Sequence, residues 1–272
     1  MQEIKMSEMR DIQLEILEFL DKICRENDIE YSLCGGSLLG SVRHQGYIPW
    51  DDDIDLMLRR DHYNKLIDVL VKQKIEPNYV TWHYSQRPTF QAYTKIFDQR
   101  TILGKSLDHM WTGIGVHVDI FPYDILPTDD TERANFMKEM HQQNENLVST
   151  SFPEYVSGSK WYYAAVRLFL RFPRYLKYHG KNQTFAAQLD QEYQKYLDTD
   201  EKQIGCLCSR YIGREYFPRE VFDEYEDAPF EHLTARKIKD HDTLLKQVFG
   251  NYMKLPPEKD REIHDFYTWY WK

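Results

Sequence analysis

The feature that most constrains the fold of this 272-residue chain is an aspartate cluster that leads directly into an apolar run. Asp51, Asp52 and Asp53 are followed by Asp55, and polar–apolar alternation from Asp53 onward predicts a β-strand. On a strand, Asp53 and Asp55 lie on one face, about 6–7 Å apart. A solvated acidic turn is the alternative, but such a turn does not need the apolar residues that follow it.

Four carboxylates this close repel one another, and each is pushed toward protonation unless a cation compensates the charge. A hard divalent ion with oxygen ligands is the cation that suits such a group. Asp119, in the apolar run from Gly115 to Pro122, supplies a third carboxylate, which is costly to bury unless it is paired or bound to metal. The alternative is that backbone donors satisfy Asp119 at the end of a strand. The predicted metal ligands are Asp53, Asp55 and Asp119.

A glycine-rich turn precedes the aspartates. A short strand is predicted at 30–34, and Gly35 and Gly36 lead to a helix for which Ser37 is the predicted N-cap. Backbone N–H groups at a helix N-terminus favour phosphate, although Gly-Gly-Ser is also a common tight turn. Arg43 is a candidate phosphate clamp or an ordinary surface arginine. Lys95, on a predicted strand at 91–97, either reaches a phosphate or the aspartates, or extends to solvent at the sheet edge.

The chain resembles the LicD family, which is related to the fukutin group and placed in the nucleotidyltransferase superfamily, in the stretch GGSLLGSVRHQGYIPWDDDIDLML. The superfamily pattern is a Gly-Gly/Ser turn, a strand with Asp-x-Asp, and a third Asp on a later strand. Gly36-Ser37, Asp53/Asp55 and Asp119 follow that order. The fragment at 249–258, FGNYMKLPPE, also resembles the ending typical of LicD proteins. The resemblance implies an α/β (α+β) fold with a nucleotidyltransferase-like mixed sheet flanked by helices.

LicD-like enzymes typically move phosphocholine from CDP-choline onto a sugar hydroxyl of a cell-surface glycan precursor, such as teichoic or lipoteichoic acid, and release CMP. The resemblance implies Mg²⁺, with Mn²⁺ as an alternative, at the three predicted ligands, and Asp51 as a further ligand or a base. Phosphate contacts would come from Gly35, Gly36, Ser37 and Arg43. A choline head group suits an aromatic cage, for which Trp82, Tyr84 and Trp111 are candidates.

Two other functions remain open at this point. The first is the same type of reaction with a different transferred group. That group is ribitol phosphate from CDP-ribitol, or a nucleotide that is transferred to a small molecule. The second is a non-catalytic glycan- or choline-binding protein whose aspartates hold calcium. Nucleic-acid binding is disfavoured, because the chain carries a net charge of −9 and lacks the basic footprint that it needs.

The predicted location is cytoplasmic, because the N-terminal residues lack the apolar core of a secretory signal and the four cysteines are expected to be free thiols. Residues 151–181, the basic aromatic segment, carry six Lys or Arg and one acid, Glu154. This segment predicts peripheral contact with an anionic membrane at its inner face, or an anionic acceptor site. The alternative is a helix whose cations cover the core, and Pro173 is expected to end or kink it.

The predicted organisation is a single LicD-like catalytic unit over 1–272, without internal repeats. Its core spans about 1–127, a helical basic aromatic insertion spans about 128–200, and a C-terminal part over about 201–272 completes the pocket. Helices are predicted at 7–27, 61–71, 129–150, 183–198 and 239–249, and strands at 78–84 and 91–97. The first helix is expected to serve as scaffold, and residues 205–230 are expected to be irregular.

Overall fold

The computed structural model describes residues 1–72, 78–89, 91–104, 113–151, 161–209, 213–258, 261 and 268–272, and for residues 161–164 and 167 it describes the backbone alone. The helices in this part of the chain are α1 (Met6–Glu26), α2 (Gly35–His44), α3 (Arg60–Lys72), α4 (Asp130–Val148), α5 (Trp161–Tyr178), α6 (Asn182–Tyr193) and α7 (His241–Phe249), with short 3-10 turns at Gln194–Tyr196 and Arg219–Phe222.

The main sheet is mixed, and this confirms the predicted fold class. Its strands are β1 (Ser32–Leu33), β2 (Asp55–Arg59), β3 (Tyr79–Trp82), β4 (Thr94–Asp98), β6 (His117–Leu126), β7 (Gln203–Gly205) and β8 (Tyr216–Pro218). The order is β1-β2-β6-β4-β3, and β7 and β8 continue from the far half of β6. Strands β2 and β6 are parallel, and the other pairs are antiparallel.

Two antiparallel pairs lie outside this sheet. Strands β9 (Tyr225–Phe230) and β10 (Leu233–Ile238) form a hairpin, and β11 (Trp269–Trp271) pairs with β5 (Thr101–Leu103). The hairpin and β7–β8 correct the expectation that residues 205–230 are irregular. Strand β7 pairs with β6, about 80 residues away in the chain, and short-range patterns do not reveal such pairing. The hairpin is local, but Pro229 within β9 weakens its strand pattern.

Helix α1 buries the apolar face that its amphipathic pattern predicted. Ile12, Ile16, Leu20 and Ile23 are buried, and the helix packs on β4, β6 and β10. The predicted helices at 61–71, 129–150, 183–198 and 239–249 are also present within a few residues. The Asp129 carboxylate accepts the Glu132 N–H and caps α4, at the start of the helix predicted over 129–150. Gly250 follows the last residue of α7, as predicted.

Two local predictions are wrong, and a third is wrong in part. Strand β2 begins at Asp55 and not at Asp53, which lies in the preceding loop. Helix α2 begins at Gly35, so its N-cap is Cys34 and Ser37 lies inside the first turn. Pro173, which was expected to end or kink this helix, does not end α5, which continues to Tyr178, and a kink there stays a prediction.

The buried apolar side chains form two clusters. The larger one joins α1, α2 and α3 to the sheet and the hairpin. The second lies among α4, α6 and the end of β6, and it includes Leu126, Phe136, Met140 and Leu189. Cys24, Cys34, Cys206 and Cys208 are free, as predicted. None of the helices in the described part of the chain has the length and apolarity that crossing a bilayer requires.

Candidate active site

A row of three charged residues crosses adjacent strands of the main sheet. Asp55 opens β2, and its register partner on the parallel strand β6 is Asp119. Lys95, on β4, is the register partner of Asp119 on the other side of β6. Neighbouring strands lie about 4.8 Å apart, so the side chains of this row are immediate neighbours. The two carboxylates that the sequence predicted on separate strands therefore lie side by side.

The ammonium group of Lys95 binds the Asp119 carboxylate. Its Nζ lies 2.6 Å from each oxygen of Asp119 and 3.2 Å from Nε2 of His117. The other ring nitrogen of His117, Nδ1, lies 3.0 Å from the carbonyl oxygen of Gly115. A carbonyl can only accept, so Nδ1 carries the proton and Nε2 accepts from Lys95. Burial, and then the Lys95 charge, lower the pKa of His117 to about 4, so the ring is neutral near pH 7.

The row carries more negative charge than Lys95 compensates. Burial raises the pKa of the Asp55 carboxyl well above its usual range, and the charges of Asp53 and Asp119 raise it further. Lys95 acts in the opposite direction, but as a smaller effect. An additional cation at this position would favour the ionised carboxylates.

The aspartate loop, residues 51–53, lies just before this row. One carboxylate oxygen from each of Asp51, Asp52 and Asp53 falls within a group whose members are all within 4.8 Å of one another. Oxygen donors of this kind suit Mg²⁺ or Mn²⁺. The Lys95 ammonium group is itself a cation bound to the Asp119 carboxylate. The oxygen donors of Asp51, Asp52 and Asp53 therefore fit a divalent ion, with Asp52 as an added candidate. Of the predicted ligands, Asp53 belongs to this group, whereas Asp55 and Asp119 lie in the row beside it, and their role as ligands stays a prediction.

Helix α1 holds the backbone of this loop, so it does more than the predicted scaffold role. Nη2 of Arg10 donates to the carbonyl oxygens of Ile48, Pro49 and Asp51, at 3.3, 3.2 and 2.5 Å. Nε2 of Gln13 donates to the carbonyl oxygen of Asp52 at 2.9 Å. All four of these bonds go to main-chain acceptors.

The predicted glycine turn lies against the aspartates. A β-carbon at Gly36 would overlap the Asp51 carboxylate, and one at Gly35 would lie 3.6 Å from Oδ2 of Asp55. Gly35 also has φ of +51°, a conformation that L side chains rarely adopt. Ser37 Oγ accepts the Asp55 N–H at 3.0 Å and so fixes the start of β2. The first turn of α2 thus borders the carboxylate group.

Arg43 does not lie with these residues. It is at the other end of α2, about 10 Å from Gly36 along the helix axis. Its Nη1 donates to the carbonyl oxygen of Tyr252 at 2.6 Å, and its Nε donates to Nε2 of His44 at 2.9 Å. The structure therefore joins Arg43 to the segment around 252 and does not bring it to the aspartates.

An aromatic pair lies beside Lys95. The rings of Tyr93 and Phe121 are 4.3 Å apart, and Lys95 Nζ lies 4.9 Å from the centre of the Tyr93 ring. Both side chains are half-buried. Of the predicted cage candidates, Trp82 is buried and donates to the Pro88 carbonyl, and Tyr84 donates to Asp190. Trp111 lies outside the described residues.

The sequence reasoning missed His117, Arg10 and Gln13. A signal existed for His117, because it precedes Asp119 by two residues on a strand and therefore faces the same side. No signal existed for the other two, since their partners are 34 or more residues away in the chain. Local periodicity assigns Gln13 to the buried face of α1 and says nothing about what it contacts there.

Comparison with known proteins places this site in a family. Residues 28–156 match the family model described as "LicD/FKTN/FKRP, nucleotidyltransferase domain". Over 273 aligned residues the chain is 30% identical to the lipopolysaccharide cholinephosphotransferase LicD of Haemophilus influenzae, covering 97% of each protein. The chain belongs to the LicD family. This confirms the resemblance seen in the sequence, and the protein is a transferase of the LicD type.

Two further matches are shorter, and the names of these proteins specify no activity. An uncharacterized protein of Rickettsia typhi is 33% identical over 67 residues, which are 23% of this chain and 22% of that protein. An uncharacterized protein of Rickettsia prowazekii is 36% identical over 56 residues, 21% of each. Within the LicD family model, 28–156 includes the first turn of α2, the aspartate loop and the three charged residues of the row.

Proposed function

We propose that this LicD-family enzyme transfers phosphocholine from CDP-choline to a sugar hydroxyl of a cell-surface glycan precursor, of the teichoic or lipoteichoic acid type, and releases CMP. The observation that carries the proposal is the pairing of Asp55 with Asp119 across the parallel strands β2 and β6. The relative from H. influenzae, whose name specifies cholinephosphate transfer to lipopolysaccharide, supports phosphocholine as the transferred group. In the reaction, the hydroxyl oxygen bonds to the choline-bearing phosphorus, and the bond from that phosphorus to the bridging oxygen breaks.

The carboxylates would hold Mg²⁺ at Asp53, Asp55 and Asp119, with Mn²⁺ as the alternative. The ion would neutralise charge on the diphosphate and on the leaving CMP. N–H groups in the first turn of α2, at Gly35, Gly36 and Ser37, would bind phosphate oxygens. Asp51 borders that turn and would take the proton of the attacking hydroxyl or act as a further ligand.

The choline group would lie on the aromatic pair Tyr93–Phe121. Phe121 follows Asp119 by two residues on β6, and Tyr93 precedes Lys95 by two residues, so the pair borders the row of charges. The face of Tyr93 is already in contact with a cation, the Lys95 ammonium. A trimethylammonium group uses the same attraction to an aromatic face, worth about 0.5–2 kcal/mol.

The test is CMP release from purified enzyme with Mg²⁺, a sugar acceptor, and CDP-choline, CDP-ethanolamine or CDP-ribitol. We expect turnover with CDP-choline that Asp55→Asn abolishes, while Asp68→Asn, an exposed aspartate on α3, leaves it unchanged. We expect Tyr93→Leu to raise KM for CDP-choline several-fold more than KM for CDP-ethanolamine. Parallel reactions with teichoic-acid and lipopolysaccharide oligosaccharides identify the acceptor.

Three results would each reject part of this proposal. CMP release that persists in Asp55→Asn with its fold intact would refute the assignment of the carboxylates. Turnover with CDP-ribitol in place of CDP-choline would support ribitol phosphate as the transferred group, which the sequence left open. No CMP from any donor, with binding of choline or glycan retained, would favour the non-catalytic alternative.

A further inference from the structure

Helix α5 presents an apolar face to solvent. Phe169 and Leu170 are 78% and 77% exposed, and Val166, Phe172 and Leu176 are also exposed. Positions 166, 169, 170, 173 and 176 recur at helical spacing, so these side chains form one continuous stripe. None of the described side chains of α5 is buried. A contiguous exposed apolar stripe on a folded domain marks a surface that contacts a partner or a membrane.

The side of α5 that faces the protein is half-buried and mixed in character, with Leu168, Tyr175 and Tyr178 beside Arg171 and Arg174. Arg171 Nη2 and Arg174 Nη1 lie 3.0 and 3.7 Å from Oε2 of Glu145 on α4. Tyr178 packs edge-on against Phe185 of α6, with ring centres 5.3 Å apart. The helix thus contacts the protein along one side and leaves its apolar stripe exposed. The alternative left open for the basic aromatic segment, a helix whose cations cover the core, does not account for that stripe.

Charge identifies the kind of partner. No Asp or Glu occurs from residue 155 to residue 189, although the chain has 44 of them among 272 residues. The same stretch contains six Lys or Arg, of which Lys177 and Lys181 are exposed at the end of the apolar stripe. An apolar stripe flanked by cations, without acids, complements a membrane surface of anionic lipids.

We propose that α5 binds flat on an anionic membrane surface, with Phe169 and Leu170 inserted into the boundary between head groups and acyl chains and Lys177 and Lys181 against the lipid phosphates. The cations along the helix favour a position at the interface, because burying them in the hydrocarbon region is costly. The inference stands independently of the proposed reaction, since binding to a membrane needs neither donor nor acceptor.

Cosedimentation with vesicles tests the proposal on the full chain. We expect binding to vesicles of phosphatidylcholine with phosphatidylglycerol at low salt, weaker binding to phosphatidylcholine alone, and release at high salt. Phe169→Ser with Leu170→Ser should weaken binding at least about tenfold, because two exposed apolar side chains lose their insertion energy. Lys177→Gln with Lys181→Gln should weaken it by about fivefold per charge.

The matched control is Met253→Ser with Leu255→Ser. These residues are 57% and 51% exposed and lie outside α5, so their replacement removes exposed apolar surface elsewhere and should leave binding unchanged. Circular dichroism confirms that each variant is folded. No cosedimentation of the wild type at low salt, or equal binding by Phe169→Ser/Leu170→Ser, would overturn the proposal. So would lipid-free dimerisation, in sedimentation velocity, that the Phe169→Ser/Leu170→Ser variant abolishes, because a second copy would then cover the stripe.

Discussion

The Lys95 ammonium binds both oxygens of Asp119, so a metal ion that used Asp119 would compete with it. Lys95→Met keeps the length of the side chain and removes the charge. We expect this variant to bind Mn²⁺ about tenfold more tightly, a change of ~1.4 kcal/mol, because the competing cation is absent. We also expect the metal-free protein to unfold at a lower temperature, since Asp119 then lies beside Asp55 without a counter-charge.

Titration calorimetry with Mn²⁺, and thermal unfolding with and without the metal, measure both effects. Lys72→Met is the matched control, because Lys72 forms an exposed pair with Asp68 that contributes little. Unchanged or weaker Mn²⁺ affinity in Lys95→Met would show that the ammonium and the metal do not compete for Asp119.

Ser37 and Ser41 allow a comparison between two buried hydroxyls on the same helix. Ser37 accepts the N–H of Asp55, whereas Ser41 donates to the carbonyl oxygen of Pro229 in the hairpin. Replacing either by alanine should cost about 1–2 kcal/mol of unfolding free energy, because each leaves a backbone group without its partner. Only Ser37→Ala releases the start of the aspartate-bearing strand, and we expect it alone to lower turnover, by about tenfold.

Urea unfolding measures the loss of stability in each variant, and CMP release measures the loss of turnover. Equal loss of turnover in Ser37→Ala and Ser41→Ala would mean that the effect is general destabilisation and not the position of Asp55.

At the scale of elements, α1 contributes to the site through the backbone of the aspartate loop. Arg10→Met removes the hydrogen bonds to three carbonyl oxygens, together with the contact of the guanidinium with the Tyr47 ring. We expect faster amide exchange in residues 48–53 and a fall in turnover of about 10- to 100-fold, because a displaced loop misplaces its carboxylates. Arg25→Met, on the same helix, removes exposed pairs with Asp21 and Asp227 and should change neither.

Hydrogen exchange with mass spectrometry locates the loosened segment, and CMP release gives the rate. If Arg10→Met and Arg25→Met have the same exchange pattern in the loop, α1 is scaffold alone, as the sequence first suggested.

The elements that the sequence predicted well are those that a local pattern specifies. The alternation around Asp55 and the apolar run around Asp119 predicted the two strands. The order of motifs in the LicD family predicted that these two residues lie in one site. Helix α1 followed from its apolar periodicity. By contrast, the N-cap of α2 was misplaced by three residues, because Ser37 is a residue type that commonly caps helices but its hydroxyl bonds to β2. Such a bond depends on the tertiary fold, and no local rule contains it.

The role of Arg10 was out of reach for the same reason, because its partners lie 38 to 41 residues away in the chain. The hairpin at 225–238 is a local contact, but Pro229 in its first strand weakens the strand pattern there. Lys95 was an intermediate case, since its strand was predicted but its register was not. Only the observed pairing opposite Asp119 selects the ion pair over an extension to solvent at the sheet edge.

At the scale of the whole molecule, a buried ion cluster joins the two apolar clusters. Arg60, at the start of α3, binds Asp124 of β6 through two nitrogens at 2.6 and 2.8 Å and Asp190 of α6 at 2.7 Å. Asp190 also accepts from Tyr84 and Gln194. The helical cluster of α4 and α6 is thus held to the sheet by charges that water cannot screen. The predicted boundary near residue 128 stays a prediction, but these bonds favour a single cooperative unit.

Asp190→Ala tests that coupling. It leaves the buried Arg60 with one partner fewer and the Tyr84 hydroxyl without its acceptor, so we expect a loss of about 3 kcal/mol of unfolding free energy. Asp68→Ala, which breaks an exposed pair with Lys72, should cost less than about 0.5 kcal/mol. Urea unfolding should show one transition for the wild type, and amide exchange in α4 and α6 should accelerate in Asp190→Ala before that in the sheet. If exchange rose equally in both parts, the ion cluster would stabilise the molecule as a whole without acting as the link between its two apolar clusters.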